Sequence, residues 1–448
     1  MSAQKILFGY ARKDVTPDFP VCLTGYGDDD RRISEGVLMP IMADCLAFTD
    51  CDNNTVLIYT ADLLYPAVHL IAALREAVSQ KTGVPEDRIM LATIHNHSAP
   101  NTYGLNYTGV KAFCDNFVSL LTDAAVEALA DRSPVDIYIG RSQTEKMTFV
   151  RHYQMEDGSY AGDNFGNAKL PIRDHASPAD EQIQLIRFVR AGKQDVILMN
   201  WQSHAKACST ATSDFGKTHR KHLSADFVGY LRKHLESKTG AQVTYFSGAS
   251  GNLNPDSRIK EECPSRDPDA FSARVADFAI RGLADMQLVE GTKVQSRQRL
   301  ITVDIDHTDD SKIDLAQKIW ALWDKDLALA HQTARENGLN NAFAARDIIL
   351  RYEAEKTRDV ELNAISVGGI AFAAVPYEMF CANGLFVKEN SPFDMTVVMS
   401  CCNGYHKYFP SKFAFTHGGY EVDSRLYPAG TAEQMAEELV AMLNAQKA

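Results

Sequence analysis

Apolar residues in this chain gather in short blocks of two kinds, and their alternation sets the expected fold. Val56-Leu57-Ile58-Tyr59-Thr60 is a nearly continuous apolar run, the pattern of a strand buried on both faces. Behind it Ile71, Leu74 and Val78 recur at helical spacing, and Gly83 supplies a stop. Ile89-Met90-Leu91-Ala92 is a second strand, so residues 56–94 read as a βαβ unit with parallel strands. That unit runs directly into His95-Asn96-His97-Ser98.

The same grammar recurs. Val196-Ile197-Leu198-Met199 is a strand followed by His204, and Ser224 is placed to cap a helix through Phe227, Leu231 and Leu235. Val243-Thr244-Tyr245-Phe246 opens into a Gly- and Ser-rich loop ending at Asn252. Residues 268–286 and 312–337 read as long helices. Residues 364–367 and 370–374 form a hairpin with Glu378 just beyond, and residues 396–399 lead to Tyr405 and Tyr408. A last helix covers 431–445. The expected class is α/β, with a mixed, largely parallel sheet core, flanking helices and a helical lobe or lid. With no repeat or low-complexity linker, residues 1–448 are expected to form a single catalytic domain, with 265–350 as the candidate lobe.

Composition narrows the partners. Hydrophobic residues at 45% and charged residues at 23% describe an ordinary globular chain. A net charge of −12 argues against nucleic acid, and the densest basic stretch, Lys217 to Lys221, is brief and interleaved with histidine. No apolar run reaches membrane-spanning length, and the block after Lys5 is too short for a secretory signal. Nine cysteines, none in a C-x-x-C pair, read as reduced thiols in a cytoplasmic protein, which leaves the sequon Asn106-Tyr107-Thr108 without meaning.

Chemistry collects where loops leave the carboxyl ends of strands. His95, His204, Glu378 and Tyr408 each follow a predicted strand, and they offer the nitrogen and oxygen donors of a catalytic zinc site. On spacing alone each also reads as a packing or surface residue.

Longer motifs sharpen this reading. Thr93-Ile94-His95-Asn96-His97-Ser98-Ala99-Pro100 resembles the T-H-T-H-S-G-P motif of the neutral (non-lysosomal) ceramidases. Arg151 lies where that family has an Asn-Arg-Ser segment, and Trp201-Gln202-Ser203-His204 is similar to its W-F-A-x-H. Ser224-Ala225-Asp226 resembles Ser-Ser-Asp, and Val375-Pro376-Tyr377-Glu378 resembles V-P-G-E. Cys402-Asn403-Gly404-Tyr405-His406-Lys407-Tyr408 resembles C-N-x-Y-T-H-Y. The matches run in order along the chain, as for a catalytic domain without the family's C-terminal immunoglobulin-like domain.

The resemblance implies that His95, His204, Glu378 and Tyr408 hold Zn²⁺ and that an activated water attacks an amide carbonyl. It makes His97 a proton shuttle or oxyanion stabiliser, with a holder of a neighbouring ligand as the alternative. Arg151 orients substrate or offsets charge in the tetrahedral intermediate, unless it merely pairs with a carboxylate, and Tyr405 is a further hydrogen-bond donor. One departure is chemical: Asn254 stands where the family has a serine, so a serine nucleophile is excluded and a water mechanism is not. Three readings follow: a zinc amidase of a ceramide-like N-acyl substrate, a zinc hydrolase of a small polar amide, ester or lactone, and a non-catalytic metal-binding homologue. A deep apolar slot favours the first and a polar pocket the second. The mixed donor set also accepts Mn²⁺, Fe²⁺ or Ni²⁺. The oligomeric state is not encoded in any of these patterns.

Overall fold

The structure is a computed structural model that describes residues 5–27, 30–163, 171–210, 213–259 and 266–447. Its larger sheet runs in the order Gln242–Ser247, Val196–Trp201, Gln182–Arg190, Ser133–Gln143, Leu7–Asp14, Met42–Thr49, Thr55–Ala61 and Ile89–Thr93, with Gln287–Val289 added beside Ser133–Gln143. The expected parallel unit is present: Thr55–Ala61, the helix Val68–Thr82 closed by Gly83 at φ 76°, then Ile89–Thr93.

The sheet is mixed, as expected, but its parallel share is smaller than the sequence implied. Parallel pairing is confined to two outer pairs, Thr55–Ala61 with Ile89–Thr93 and Val196–Trp201 with Gln242–Ser247. The interior pairs are antiparallel. The apolar runs report burial on both faces, and here that burial comes from layering rather than from parallel strands.

A second sheet, Val294–Asp304, Thr357–Val367, Ile370–Ala374 and Met395–Met399, supplies one of those layers. Alternate residues show how the layers meet. Phe48, Ile58, Met90, Leu198 and Phe246 of the large sheet pack with Ile365, Phe372 and Val397 of the small one. Their neighbours in sequence turn the other way. Cys45, Leu57, Tyr59 and Leu91 face the helices Val68–Thr82 and Val110–Ala130, while Ile197, Met199 and Tyr245 face Asp226–Thr239 and Pro268–Gly282. On the far side of the small sheet, Leu362, Ala373 and Val398 meet Cys381–Asn390 and Thr431–Lys447. The result is four layers, helix–sheet–sheet–helix, generated by the two-residue period of the strands.

The helical stretch differs from its expectation. Pro268–Gly282 packs against the large sheet, and the run at 312–337 breaks into Ile313–Trp320 and Leu327–Glu336. The break has a local cause: the Asp326 side chain accepts from the Leu329 amide and starts a new helix. With Ala342–Glu353 these helices pack on one another through Ala316, Ile319, Ala330 and Ile348, beside the strand ends where the histidines lie.

Candidate active site

His95 takes a left-handed backbone, φ 58°, an arrangement that costs a non-glycine residue about 1 kcal/mol or more. Asn96 holds it there. Its amide donates to the carbonyls of Asp62 at 3.0 Å and Ser224 at 2.7 Å, and its oxygen accepts from the Ser98 amide at 2.9 Å. The His97 amide donates to the Ala205 carbonyl at 2.9 Å, which ties this turn to the loop carrying His204. Asp226, also at positive φ and fully buried, accepts from the amides of Ala207 and Cys208 and fixes that second loop. Gly25 closes the other side of His97, where a Cβ would lie 2.7 Å from Nδ1.

Glu378 arrives from the small sheet and pairs in register with Tyr408 across a short parallel ladder. Its carboxylate Oε2 lies 3.1 Å from His95 Nε2 and 3.2 Å from His204 Nε2. The Tyr405 hydroxyl donates to Oε1 at 2.7 Å. His204 Nδ1 sits 2.9 Å from both the Ser250 and Leu253 carbonyls, so the proton belongs on Nδ1 and Nε2 presents a lone pair. Burial first, with the Arg151 charge, pushes His204 down to about 3 and keeps it neutral. A lone pair on Nε2 then faces a carboxylate oxygen, and neither atom has a hydrogen-bond partner among the described residues. Two buried electron-pair donors aimed at each other are the arrangement a cation stabilises. His97 adds a third imidazole: ligating nitrogens of His95, His97 and His204 lie within 4.8 Å of one another. Both His97 ring nitrogens are buried without partners among the described residues, and burial with the neighbouring imidazoles holds its pKa well below the ordinary value. The donor set fits a divalent cation.

Arg151 is buried at 3% exposure and fully occupied. Its Nη2 donates to the Gly251 carbonyl at 2.9 Å and the Tyr408 hydroxyl at 3.2 Å, its Nη1 donates to Asn254 Oδ1 at 3.3 Å, and its Nε pairs with Glu421. Burial alone would raise the Glu421 carboxyl, but Arg151 and His152 pull it down to about 2. Asn254, standing for the family serine, is thus an acceptor for Arg151. All of the residues singled out by sequence, His95, His97, Arg151, His204, Glu378, Tyr405 and Tyr408, line one cleft of about 1000 Å³. The helices of the 313–353 region contribute its outer wall through Phe343, Arg346 and Leu350.

No family model matches the chain. A neutral ceramidase of Pseudomonas aeruginosa is 22% identical over 267 residues, a match that spans 56% of this chain and only 37% of that protein. The solved neutral ceramidase from Pseudomonas aeruginosa superposes with a TM-score of 0.73 at 16% identity, covering 99% of this chain and 75% of the other. A ceramidase complexed with C2 superposes at 0.70, also at 16% identity and with the same coverage. The chain has the neutral ceramidase fold. Within that fold, the motifs that carried the resemblance fall at the strand ends that converge on the cleft.

Sequence reasoning missed several participants. Tyr65 stacks on Tyr405 at 3.9 Å between ring centroids, and Cys401 Sγ lies 3.7 Å from His95 Nδ1. Glu421 and His152 form the buried anchor behind Arg151, at 3.0 Å from each other. A positively charged residue in a buried stretch signals that a carboxylate is needed, but nothing in the sequence around Glu421 marks it as the partner. Among the described residues no helix is long and apolar enough to cross a membrane.

Proposed function

We propose that this chain is a zinc-dependent amidohydrolase that splits an N-acyl compound into an acid and an amine. The observation that carries the reading is the pair of His204 Nε2 and Glu378 Oε2 at 3.2 Å, both without a hydrogen-bond partner among the described residues, with His95 Nε2 beside them. His95, His204 and Glu378, with Tyr408 at the adjoining ladder position, would hold the ion. A zinc ion in such a set supplies Lewis acidity and lowers the pKa of water.

The chain's own groups supply the rest. The Tyr405 hydroxyl holds Glu378 in one orientation, and the Ser250 and Leu253 carbonyls do the same for His204. Arg151 holds the Tyr408 hydroxyl and carries a positive charge where charge develops on the carbonyl oxygen. His97, neutral and unpartnered, accepts a proton at one ring nitrogen or ligates through it. Metal content of His97→Ala separates those two uses. In balance, a C–O bond forms from water, the amide C–N bond breaks, and the proton released goes to the amine.

We further propose a single catalytic domain in which the helices of residues 313–353 act as a lid. Eight described cysteines form no disulfide, which supports a reducing, cytoplasmic setting. The reading is tested by elemental analysis of wild type and His95→Ala, alongside hydrolysis of a fluorogenic N-acyl panel. About one zinc per chain, lost in the variant together with turnover, sustains it. No metal in either protein, and no activity after zinc is added, reduces the likeness to shared fold.

A further inference from the structure

The charge of the cleft points to what the amide substrate carries. Its lining includes the carboxylates Asp163, Asp256, Asp347 and Glu378, and each is already matched. Asp163 pairs with Arg258 at 2.5 Å, Asp256 lies 3.8 Å from Lys206, and Glu378 faces the two histidines. Asp347 takes both Lys407 and, at 3.2 Å, Arg346 Nε. More than twice as many Arg and Lys side chains as carboxylates line the same space. Arg266, Arg335 and Arg358 join no ion pair with any described residue, and Arg346 pairs only through Nε, leaving its two terminal nitrogens for a ligand. This surplus sits in the concave surface of a chain whose net charge is −12. Low-dielectric walls concentrate such a field on whatever enters.

The position of Arg346 ties this charge to the reacting centre. The guanidinium is steadied over the rings of Phe343 and Trp320, at 5.1 and 5.9 Å, and lies within electrostatic reach of Tyr65. Tyr65 stacks on Tyr405, whose hydroxyl is bonded to Glu378, so one tyrosine pair separates Arg346 from the carboxylate of the candidate metal centre. The apolar lining is mostly tyrosine, with Leu64, Leu350 and Leu426 as its aliphatic members, which is a poor slot for two long hydrocarbon tails. Guanidinium forks match planar and tetrahedral oxyanions.

We propose, resting on the amidase reading, that the substrate is an N-acyl compound bearing an anionic group, and that Arg346, Arg335 and Arg358 bind that group. The test compares N-hexanoylglycine, N-hexanoyltaurine and neutral N-hexanoylethanolamine with the zinc-loaded protein. The two anionic amides are expected to exceed the neutral one in kcat/KM by about 30-fold or more, an advantage that shrinks as salt rises. Glycine over taurine assigns a carboxylate, and the reverse assigns a sulfonate- or phosphate-like group.

Arg346→Gln is expected to reduce the anionic-to-neutral ratio about tenfold, chiefly through KM. Arg358→Gln does the same at an exposed position that joins no ion pair with any described residue, so its folding is not in question. Arg297→Gln, exposed and away from the cleft, is the control that leaves the ratio unchanged. Hydrolysis of the neutral amide at equal or greater efficiency overturns the proposal while sustaining the amidase, as does a ratio unmoved in both cleft variants. If none of the three is cleaved, the amidase reading fails, and calorimetry with the same compounds decides the charge question. N-hexanoylglycine binding that weakens in Arg358→Gln then supports an anion site; absent or unchanged binding refutes it.

Discussion

The middle and the ends of the same strands obey different rules. Between the sheets, Phe48, Phe246 and Phe372 lie fully buried, the Phe372 ring centroid 6.2 Å from that of Phe48 and 6.3 Å from that of Phe246, and the contacts are apolar and interchangeable in kind. A few residues further along, where Ile89–Thr93, Val196–Trp201, Ile370–Ala374 and Met395–Met399 run out, the interior turns polar and strained. His95, Cys401, Asn403 and Lys407 have positive φ there, and His97, His204 and Glu378 bury polar atoms that have no partner among the described residues. The contrast teaches that the stability of the layered core is what lets the strand ends hold an arrangement unfavourable by itself.

Substitutions at the two ends of this contrast should separate cleanly. The largest effect is expected at the strand ends: His204→Ala removes bound zinc and lowers kcat/KM by on the order of 10³-fold or more, with far-UV circular dichroism unchanged. Retained zinc in that variant would move the metal elsewhere. In the core, Phe372→Ala is expected to cost about 3–5 kcal/mol in urea unfolding while kcat/KM of the folded protein stays as in wild type. Loss of activity without loss of stability there would contradict the division.

Smaller effects sharpen it. Tyr405→Phe leaves Glu378 Oε1 without its donor at 2.7 Å, and zinc affinity is expected to fall by about 10- to 100-fold in competition with a chelator. Acidification gives the smallest and broadest effect. Burial first, with His152, lowers His417 to about 4, so the unfolded chain takes up a proton that the native state refuses as pH falls below about 6.5. Glu421, held down to about 2 by Arg151 and His152 against its burial, contributes stability that is present above about 4.3 and lost as pH falls towards 2. Both signs agree, so urea midpoints should fall steadily from pH 7 to pH 3. A midpoint that rises on acidification would contradict a charged Glu421 anchor behind Arg151.

Much of this is legible in the sequence. The apolar runs at 56–60, 89–92, 196–199 and 243–246 are strands, the helical spacing of Ile71, Leu74 and Val78 is a helix, and the motifs around His95, His204, Glu378 and Tyr408 lie in one cleft. The run at 312–337 misled because helical spacing persists across a break, whereas the stop depends on one aspartate capping a new turn. The share of parallel strands misled because double-sided burial looks the same whichever way the neighbour runs.

By itself the sequence determined periods and donors: which stretches extend, which coil, and which residues can ligate a cation. Period and side-chain chemistry are local properties, written within a few positions of one another. Only the tertiary structure decided that two sheets face each other, that Glu421 anchors Arg151, and that the helices of residues 313–353 bring arginines over the site. Those pairings join residues far apart along the chain, 270 positions in the case of Arg151 and Glu421. Burial, which makes them strong, exists only after the chain has closed on itself.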